Sequence, residues 1–400
     1  MKDRVQSRRI LALLMLSLAT GALPASAQWT ARVTVEEPAG IRRTSFPARL
    51  RTEVPEGRLE YVSQLRLMNG NAEVAAQGTA WSTWSDGSVR ELDIDFNISL
   101  APFEERVLEL RYGSDVSAGT SGGRGLVPMQ DDGGVTAGRV RLNRVGSPLL
   151  TSVAYREELI GLGRNGITVV ERSGIRRDSR EIRWEPLQVL KSGPIAVLVR
   201  YRGQLSLSGG SSAAITLDVE MPNSKSWVKI SAAVSDPDGR VGDILIETPL
   251  QLGAHPWTWD FATPNASYGA FRDPTGSAMF TRTFDQAGAG TWQILAGPAG
   301  AEQPYEQSAP GPGYASGTWA HIVGAGEAVA FAVEAGSGMA GKITVWLTGT
   351  GQTSVGFRSA EPAAEHALTV YQHFVSTPLP IGAATSPASI LNPLRVTVEP

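Results

Sequence analysis

Short runs in which apolar and polar residues alternate recur along the chain, and each run ends at turn residues. Examples are RVLELRY at 106–112, AITLDVEM at 214–221 and KITVWLTG at 342–349, with turn stretches such as SGGSS and DPDG between such runs. Successive side chains of a strand point to opposite faces of a sheet, so this period of two predicts half-buried strands. Turn signals at roughly 8–12-residue spacing predict an all-β chain of antiparallel barrels or sandwiches.

A glycine-rich polar stretch, GSDVSAGTSGGRG at 113–125, interrupts this rhythm. It is too poor in apolar residues to bury much surface, which is typical of a linker. We therefore expect a small β domain at 28–113, a linker at 114–125 and a large β-sandwich domain at 126–400. The 400 residues are 42% hydrophobic, which is enough for sizeable cores.

The N-terminus has the pattern of an export signal. A basic segment, MKDRVQSRR, precedes the apolar segment ILALLMLSLATGAL and the small residues ASA. This order predicts a signal peptide at 1–27 that is cleaved after Ala27, and a periplasmic or extracellular protein without membrane insertion. The chain has no cysteine, so disulfides, thiolate metal ligands and a lipid-bearing cysteine are all excluded.

The charge pattern argues against a nucleic-acid partner. The formal net charge is −3, and four basic residues but only one acidic residue lie within the first 27 positions, so the rest of the chain is more acidic still. No basic run or stripe follows the signal segment, whereas nucleic-acid-binding surfaces are strongly basic.

The stretch WSTWSDGSVRELDIDF at 81–96 predicts a β-hairpin. Asp86-Gly87 is the residue pair that a two-residue type I′ turn prefers. Counting outward from that turn predicts that Trp81 shares a core face, and we expect Trp84 to be exposed near the turn. The core face would then also hold Leu92, Ile94 and Phe96, and the opposite, solvent-exposed face would hold Glu91, Asp93 and Asp95.

Residues 32–113 resemble the N-terminal RIFT-barrel domain of the exo-rhamnogalacturonan lyase and YetA-like family. The resemblance rests on a proline-led strand, a P-x-G turn and a Q…W-x-DGS hairpin, with Glu91 where the family usually has an aromatic residue. The matching residues are Pro47, Pro55, Gly57, Gln77, Trp84, Asp86, Gly87, Ser88, Val89, Arg90, Asp95 and Phe96.

The resemblance implies a RIFT-type barrel at the N-terminus and a glycan as the partner. Residues 126–400 are similar in size and strand rhythm to the β-supersandwich domains of polysaccharide lyases and mutarotase-like proteins. The helical toroid of the family's lyases has no counterpart here, since the sequence contains no run of amphipathic helices. A barrel alone carries no activity, because function depends on sites and not on folds.

Histidines and aromatic residues between positions 255 and 374 are the candidate site. Sugar sites combine aromatic faces with converging polar groups, and a β-eliminating lyase also needs a base, an acid and a cation for the uronate. Each histidine also has the alternative interpretation of a packing residue. The candidate catalytic residues are His255, His321, Tyr371 and His373, and the candidate substrate-binding residues are Trp257, Trp319, Lys225 and Arg272.

Tyr371 and His373 lie two residues apart, so on a strand both leave from the same face. We expect them to line a concave surface together with Trp319 or His321. The arginine-rich stretch ERSGIRRDSREIRW at 171–184 is either a solvated hairpin or a contact for an anionic sugar. Metal-binding motifs are lacking, so no metal and no cofactor are expected.

Two functions follow as hypotheses. The first is an exported lyase-like enzyme acting on uronate-containing polysaccharides or oligosaccharides. The second is a non-catalytic periplasmic carbohydrate-binding or accessory protein. A structural envelope protein without a glycan ligand is a third possibility, and the oligomeric state is left open.

Overall fold

The structure is a computed structural model that describes residues 28–117, 126, 128–155, 157–263, 267–287, 289–308, 317–335, 340–377 and 386–399. The predicted signal peptide and most of the predicted linker lie outside these residues. The first strands of the chain are β1 Trp29–Glu36, β2 Arg43–Glu53, β3 Leu65–Asn69, β4 Ala72–Val74, β5 Ala76–Thr83, β6 Val89–Leu100 and β7 Glu105–Tyr112.

Short strands follow this first group along the chain. They are β8 Met129–Asp131, β9 Gly134–Ala137, β10 Val140–Asn143, β11 Leu150–Val153, β12 Gly166–Glu171, β13 Arg176–Arg177, β14 Arg183–Trp184 and β15 Gln188–Ser192. Longer strands follow, and these are β16 Ala196–Ser206, β17 Ser212–Pro222, β18 Trp227–Ser235, β19 Val241–Pro249, β20 Trp257–Phe261, β21 Ser267–Phe271, β22 Gly276–Phe284 and β23 Gly290–Pro298.

The chain ends with further strands and one short helix. They are β24 Gln303–Gln307, β25 Gly317–Val323, β26 Glu327–Ala335, β27 Gly341–Thr348, β28 Gln352–Ser359, β29 Glu365–Ser376, helix α1 Ser386–Leu391 and β30 Arg395–Glu399. The predicted all-β fold class, with antiparallel sheets, is confirmed.

Two sheets form an N-terminal unit around a core of its own. One has the order β30-β1-β7-β3-β4 and the other the order β2-β6-β5. They approach each other where β2 lies beside β30 and where β3 lies beside β5, in the manner of a barrel. Apolar side chains from both sheets fill the space between them, among them Val33, Leu50, Ile94, Phe96 and Leu110.

The large unit is a sandwich of an eight-stranded and a ten-stranded sheet. The first sheet has the order β13-β12-β19-β28-β27-β22-β23-β24. The second has the order β14-β16-β17-β18-β29-β26-β25-β20-β21, with β15 beside β16. In β27, Ile343, Val345 and Leu347 are completely buried in the shared core, while the residues between them face outward. The alternation in the sequence therefore corresponds directly to the two faces of each sheet.

The last strand of the chain corrects the predicted domain division. Residues Arg395–Glu399 pair with Trp29–Glu36 and not with a strand of the sandwich. The prediction that 126–400 form one domain is therefore wrong for this segment. Its alternation resembles that of any other strand, and a sequence pattern does not reveal which sheet edge a strand will pair with.

The hairpin at 81–96 exists, but its turn is longer than predicted. Thr83 pairs with Val89, the Trp84 amide donates to Ser88 O at 2.8 Å, and the Gly87 amide donates to Trp84 O at 3.0 Å. Gly87 has φ +89°, as expected, but Asp86 lacks the positive φ that a type I′ turn needs at both positions. The connection is thus a three-residue loop, which shifts the register of the strand that precedes it.

The shifted register reverses two predictions about this hairpin. The pairing of β5 with β6 is irregular between Ala80 and Ser82, so Trp81 lies in a bulge. Its ring lies 5.7 Å from the Lys191 ammonium on the carboxylate face, and not in the core. Asp93 and Asp95 are buried and not exposed to solvent, because another part of the protein covers their face. A one-residue change of register moves a side chain to the other face.

Candidate functional site

A cleft lies between the β2-β6-β5 sheet and the outer face of the ten-stranded sheet. Two adjoining cavities, of about 260 and 430 Å³, form it and share Arg49, Glu220 and Lys229. Trp81 and Tyr371 contribute partly buried aromatic rings, one at each end of the cleft. We refer to this space as the cleft.

The outer face of the ten-stranded sheet presents its side chains in rows. Lys229 lies opposite Tyr371, Tyr371 opposite Ala332, and Ala332 opposite Trp319. Directly paired residues of neighbouring strands leave from the same face, so these side chains are neighbours. The predicted grouping of Tyr371 with Trp319 on one surface is therefore present in the structure.

The adjacent row holds the other predicted residues. Trp227 lies opposite His373, His373 opposite Ala330, Ala330 opposite His321, and His321 opposite Asp260. The Nδ1 atom of His321 is 2.6 Å from Asp260 Oδ1, a hydrogen bond that the ring N–H donates to the carboxylate. The structure thus brings three of the four predicted catalytic residues, His321, Tyr371 and His373, to one sheet face.

Helix α1 covers part of both rows. The helix packs on β26 and β25, and its Ile390 contacts a cluster with Phe46, Trp227 and Ala332. The alanines of β26 leave room for the helix. His321 and His373 are only 3% and 7% exposed, so neither imidazole reaches the open cleft. Burial, with smaller effects from Lys225 and His321, lowers the pKa of His373 to about 4.

The remaining predicted residues lie elsewhere. Trp257 is in the sandwich core and donates from Nε1 to Gly253 O, so a direct contact with substrate is contradicted. His255 stacks on that ring at 4.2 Å and faces Phe271 O, next to the exposed Arg272. These residues are at the β20–β21 edge of the sheet, away from the cleft. Trp257 and Trp259 are both buried, because alternate residues of strand β20 point into the core.

Lys225 connects the two units and does not project freely into the cleft. Its Nζ atom donates to the Thr44 carbonyl at 2.8 Å, across the boundary between the sandwich and the N-terminal unit. Burial lowers the pKa of its ammonium group. One donor of the ammonium is therefore used within the protein, and the role of Lys225 in substrate binding stays a prediction.

A buried cluster of charges forms one wall of the cleft. Lys191 Nζ donates to Asp93 Oδ2 and to Asp95 Oδ2, both at 2.8 Å, and the lysine side chain is completely buried. Arg51 Nε donates to Asp93 at 2.7 Å, and Arg49 Nε donates to Asp95 at 2.6 Å. Arg49 also pairs with Glu220 of β17, so the cluster spans both units.

The hydrogen bonds of this cluster keep the Asp93 carboxylate ionised. Burial alone would raise the pKa of Asp93, but hydrogen bonds from Arg51 and Lys191 outweigh it and hold this pKa well below the usual range. A carboxylate with so low a pKa serves as a fixed hydrogen-bond acceptor and not as a general acid at neutral pH.

Gln77 fixes the N-terminal unit against the sandwich. Its Oε1 accepts from the amides of Ile195 and Ala196 at 2.9 and 3.0 Å, and its Nε2 donates to Ala196 O at 2.9 Å. A side chain at Gly193 would collide with Gln77, since a Cβ atom there would lie 2.4 Å from its Cδ. The cleft is therefore built on a docked interface with satisfied polar groups.

Lys229 and Tyr371 form a desolvated part of the cleft, and Glu334 interacts with Lys229 from outside the cleft lining. Lys229 Nζ lies 5.5 Å from the centre of the Tyr371 ring, and Glu334 is on the neighbouring strand β26. Burial lowers the pKa of Lys229 and raises those of Tyr371 and Glu334, with Coulombic contributions from the charges around them. These pKa shifts favour the uncharged forms of all three side chains, and shifts of this kind are common at sites of proton transfer.

Sequence reasoning missed the charged residues Arg49, Arg51, Glu220 and Lys229 of the cleft, and the buried Lys191 behind its wall. A signal was present, because PARLRTE of β2 alternates arginines while ELDID of β6 alternates carboxylates. The two strands pair so that Arg49 lies opposite Asp95 and Arg51 opposite Asp93. Opposite charges at matching spacing on two strands predict cross-strand pairs. They do not predict that a lysine from another unit will cover them.

The fold is similar to that of much larger proteins. An alpha-mannosidase from Enterococcus faecalis V583 superposes with a TM-score of 0.57 at 9% identity, over 93% of this chain and 46% of that chain. A protein in the Glycosyl Hydrolase Family 38 from Enterococcus faecalis gives a TM-score of 0.55 at 10% identity, over 93% of this chain and 47% of that one. This chain therefore spans less than half of either protein, and identities this low establish the fold alone. No protein-family model and no curated protein matches the sequence.

The described residues contain no helix with both the length and the apolar character needed to cross a membrane. Within the same residues, histidines and carboxylates form no group of three or more that could hold a metal ion.

Proposed function

We propose that the protein binds a carbohydrate in the cleft. The observation that carries the proposal is the combination of two partly buried aromatic rings, Trp81 and Tyr371, with a dense set of fixed hydrogen-bonding groups. Aromatic faces pack against the C–H groups of a sugar ring, and carboxylates and guanidinium groups bind its hydroxyls. The cleft volumes are those of a small-molecule or short-oligosaccharide site.

The charge balance of the cleft favours an uncharged sugar. The arginines are already paired with carboxylates: Arg51 with Asp93, Arg49 with Asp95 and Glu220, and Arg200 with Asp218. A paired guanidinium still donates to a hydroxyl but has little charge left to neutralise a carboxylate. For a binding module we therefore infer a neutral hexose unit as the occupant.

The fold likeness supports the carbohydrate class of the ligand. One of the similar structures is that of an alpha-mannosidase, and this chain matches less than half of it. For this reason we place the chain first among carbohydrate-binding or accessory modules. Export to the periplasm or the cell exterior, which the N-terminal pattern predicts, is part of the same proposal.

Lyase activity is a second candidate, because Lys229 and Tyr371 are adjacent and desolvated. A neutral lysine amine could remove the C5 proton of a uronate, and the tyrosine hydroxyl could then protonate the departing glycosidic oxygen. The lowered pKa of Lys229 and the raised pKa of Tyr371 favour these protonation states.

A binding experiment tests the first proposal. Residues 28–400 are titrated calorimetrically with neutral manno-, gluco- and galacto-oligosaccharides, alongside the variants Trp81→Ala and Tyr371→Ala. We expect measurable binding to at least one glycan and a tenfold or greater loss in both variants. Tyr268→Ala is the matched control, since this tyrosine is 74% exposed and lies at the far edge of the sheet. No binding across the panel, or an equal loss in the control, would refute the proposal.

The lyase candidate has a separate assay. The protein is incubated with rhamnogalacturonan and other uronate-containing glycans, and the ultraviolet absorbance of an unsaturated uronyl product is followed. Activity that disappears in Lys229→Met and in Tyr371→Phe would establish the lyase. Binding of a neutral glycan without any such product would leave the binding module as the function.

A further inference from the structure

A second groove lies on the opposite side of the sandwich, at the outer face of the eight-stranded sheet. Its volume is about 810 Å³, and the residues that matter for its chemistry are Arg164, Asp178, Arg180, Trp346, Thr348 and Gln352. We refer to it as the far groove. It shares no lining residue with the cleft, so its role is independent of the function proposed above.

Trp346 provides the aromatic surface of the far groove. It belongs to the outward-facing set of β27, since Val345 and Leu347 on either side are completely buried in the core. Its Nε1 donates to Ser277 Oγ at 2.7 Å, which fixes the plane of the indole. The ring is partly exposed and lies beside hydroxyl side chains such as Thr348. A fixed, half-exposed tryptophan with hydroxyl neighbours is suited to stacking against a sugar ring.

The opposite end of the groove carries positive charge. Arg164 and Arg176 both pair with one buried carboxylate, Glu247, at 2.9 and 2.7 Å, and Glu247 also accepts from Thr168 Oγ1. Two guanidinium groups against one carboxylate leave a net charge of +1. The Arg164 side chain is 41% exposed and uses only Nε for Glu247 within the described residues. Its terminal amino groups therefore have donors available for an anion.

Arg164 is held in place by its backbone. Gln352 Oε1 accepts from the Arg164 amide at 2.9 Å, and Gln352 Nε2 donates to the Arg164 carbonyl at 3.0 Å. Gly163 makes this contact possible, because a Cβ atom there would lie 2.5 Å from Gln352 Oε1. The guanidinium is thus presented from a fixed backbone, and little order is lost when a ligand binds.

The stretch 171–184 supplies the remaining charges. Asp178 and Arg180 line the groove and pair with each other, and Arg180 is 78% exposed. Asp273, next to the lining residue Pro274, accepts from Thr275. The groove is therefore polar along its length, with its cationic end at Arg164.

We infer that the far groove binds an acidic saccharide, with a sugar ring on Trp346 and the uronate carboxylate at Arg164. The bidentate guanidinium geometry recognises a planar carboxylate, and the aromatic ring recognises the apolar face of the pyranose. The arginine-rich stretch is then part of an anionic-sugar contact, whereas a simple solvated hairpin would leave Arg180 and Asp178 outside any groove.

Matched pairs of oligosaccharides test this inference. Glucuronate, galacturonate and mannuronate oligosaccharides are titrated into residues 28–400 beside the neutral hexose oligomers of the same linkage. We expect at least one acidic member to bind tenfold or more tightly than its neutral counterpart. That binding should weaken at least tenfold in Trp346→Ala and in Arg164→Met, and should be unchanged in the cleft variant Trp81→Ala.

Further experiments control for misfolding of a variant and for binding of a simple anion. Arg180→Ala removes an exposed side chain without touching the core, and it should weaken acidic binding several-fold even if Trp346→Ala does not fold. Competition by inorganic sulfate at a concentration equal to the oligosaccharide would show a simple anion site and overturn the saccharide assignment. Equal binding of neutral and acidic members, no acidic binding, or binding that is lost only in Trp81→Ala would also overturn it.

Discussion

Lys191 of the sandwich lies 2.8 Å from Asp93 of the N-terminal unit, and neither side chain is exposed to solvent. This buried ion pair joins the two units at the wall of the cleft. Because Asp95 shares the same ammonium group, one lysine compensates two buried carboxylates. Buried charges without partners are costly, so the cluster couples the position of the N-terminal unit to the integrity of the sandwich.

Lys191→Met should destabilise the protein strongly. The substitution leaves Asp93 and Asp95 with fewer partners in a buried place, and removing one partner of a buried pair costs about 3–5 kcal/mol. Chemical denaturation monitored by tryptophan fluorescence measures the loss. The control is Arg395→Ala, which breaks the exposed pair with Glu36 and should cost less than about 1 kcal/mol. An equal loss of unfolding free energy in the two variants would show that the buried cluster stabilises the protein no more than an exposed ion pair does.

His373 should make stability depend on pH below neutrality. Burial lowers its folded-state pKa from 6.5 to about 4, so the unfolded chain takes up the proton first as the pH falls. The stability is complete above pH 6.5 and is lost as the pH falls towards 4, by about 2 kcal/mol between pH 7 and pH 5. Denaturation midpoints at the two pH values measure it, and His373→Gln should flatten the difference. An unchanged slope in that variant would assign the dependence to other groups.

Gly87→Val should destabilise the N-terminal unit by about 1 kcal/mol or more through backbone strain. Gly87 has φ +89°, and no atom lies within 4 Å of the Cβ position, so strain is the only cost. Gly326→Val is the matched control, because a Cβ atom there would also have no neighbour within 4 Å, while the φ angle of Gly326 lies outside the left-handed region. Thermal melting of both variants compares them, and similar melting temperatures would argue against the strain.

Trp81→Ala should cost much less stability than a core truncation. The ring lies at the cleft in a bulge, so its loss leaves no large internal cavity, whereas Phe96 is completely buried. We expect about 1 kcal/mol for Trp81→Ala and about 3–5 kcal/mol for Phe96→Ala. Urea denaturation of the two variants distinguishes them. A cost for Trp81→Ala as large as that for Phe96→Ala would restore the original expectation of a core tryptophan.

Tyr371→Phe should keep the melting temperature within about 3 °C of the parent, since the ring and its packing remain and only the hydroxyl is removed. Ligand binding in the cleft, or turnover if the protein is a lyase, should fall. His373→Ala should lower the melting temperature, because the imidazole is buried and its centre lies 6.0 Å from that of the Trp227 ring. Calorimetric melting and titration of both variants test the contrast.

Much of the architecture follows from the sequence, because the alternation of apolar and polar residues within a strand indicates which of its side chains are buried. The alternation in KITVWLTG places Val345 inward and Trp346 outward, and the structure agrees. The same rule placed Tyr371 and His373 on one face. Local chemistry also predicted the positive φ of Gly87. These properties depend on the few residues around each position, so a single sequence is sufficient to predict them.

The cleft depended on information that no local pattern contains. Asp93 and Asp95 have the spacing of a solvent-exposed face, and only the docking of Lys191, some hundred residues away in sequence, buries them. The turn after Trp84 is one residue longer than predicted, and the resulting shift of register places Trp81 on that same surface and not in the core. The sequence by itself determined which residues alternate, and the tertiary structure decided what covers each face. That choice is set by long-range packing of charge and shape, whose energy depends on residues far apart in the chain.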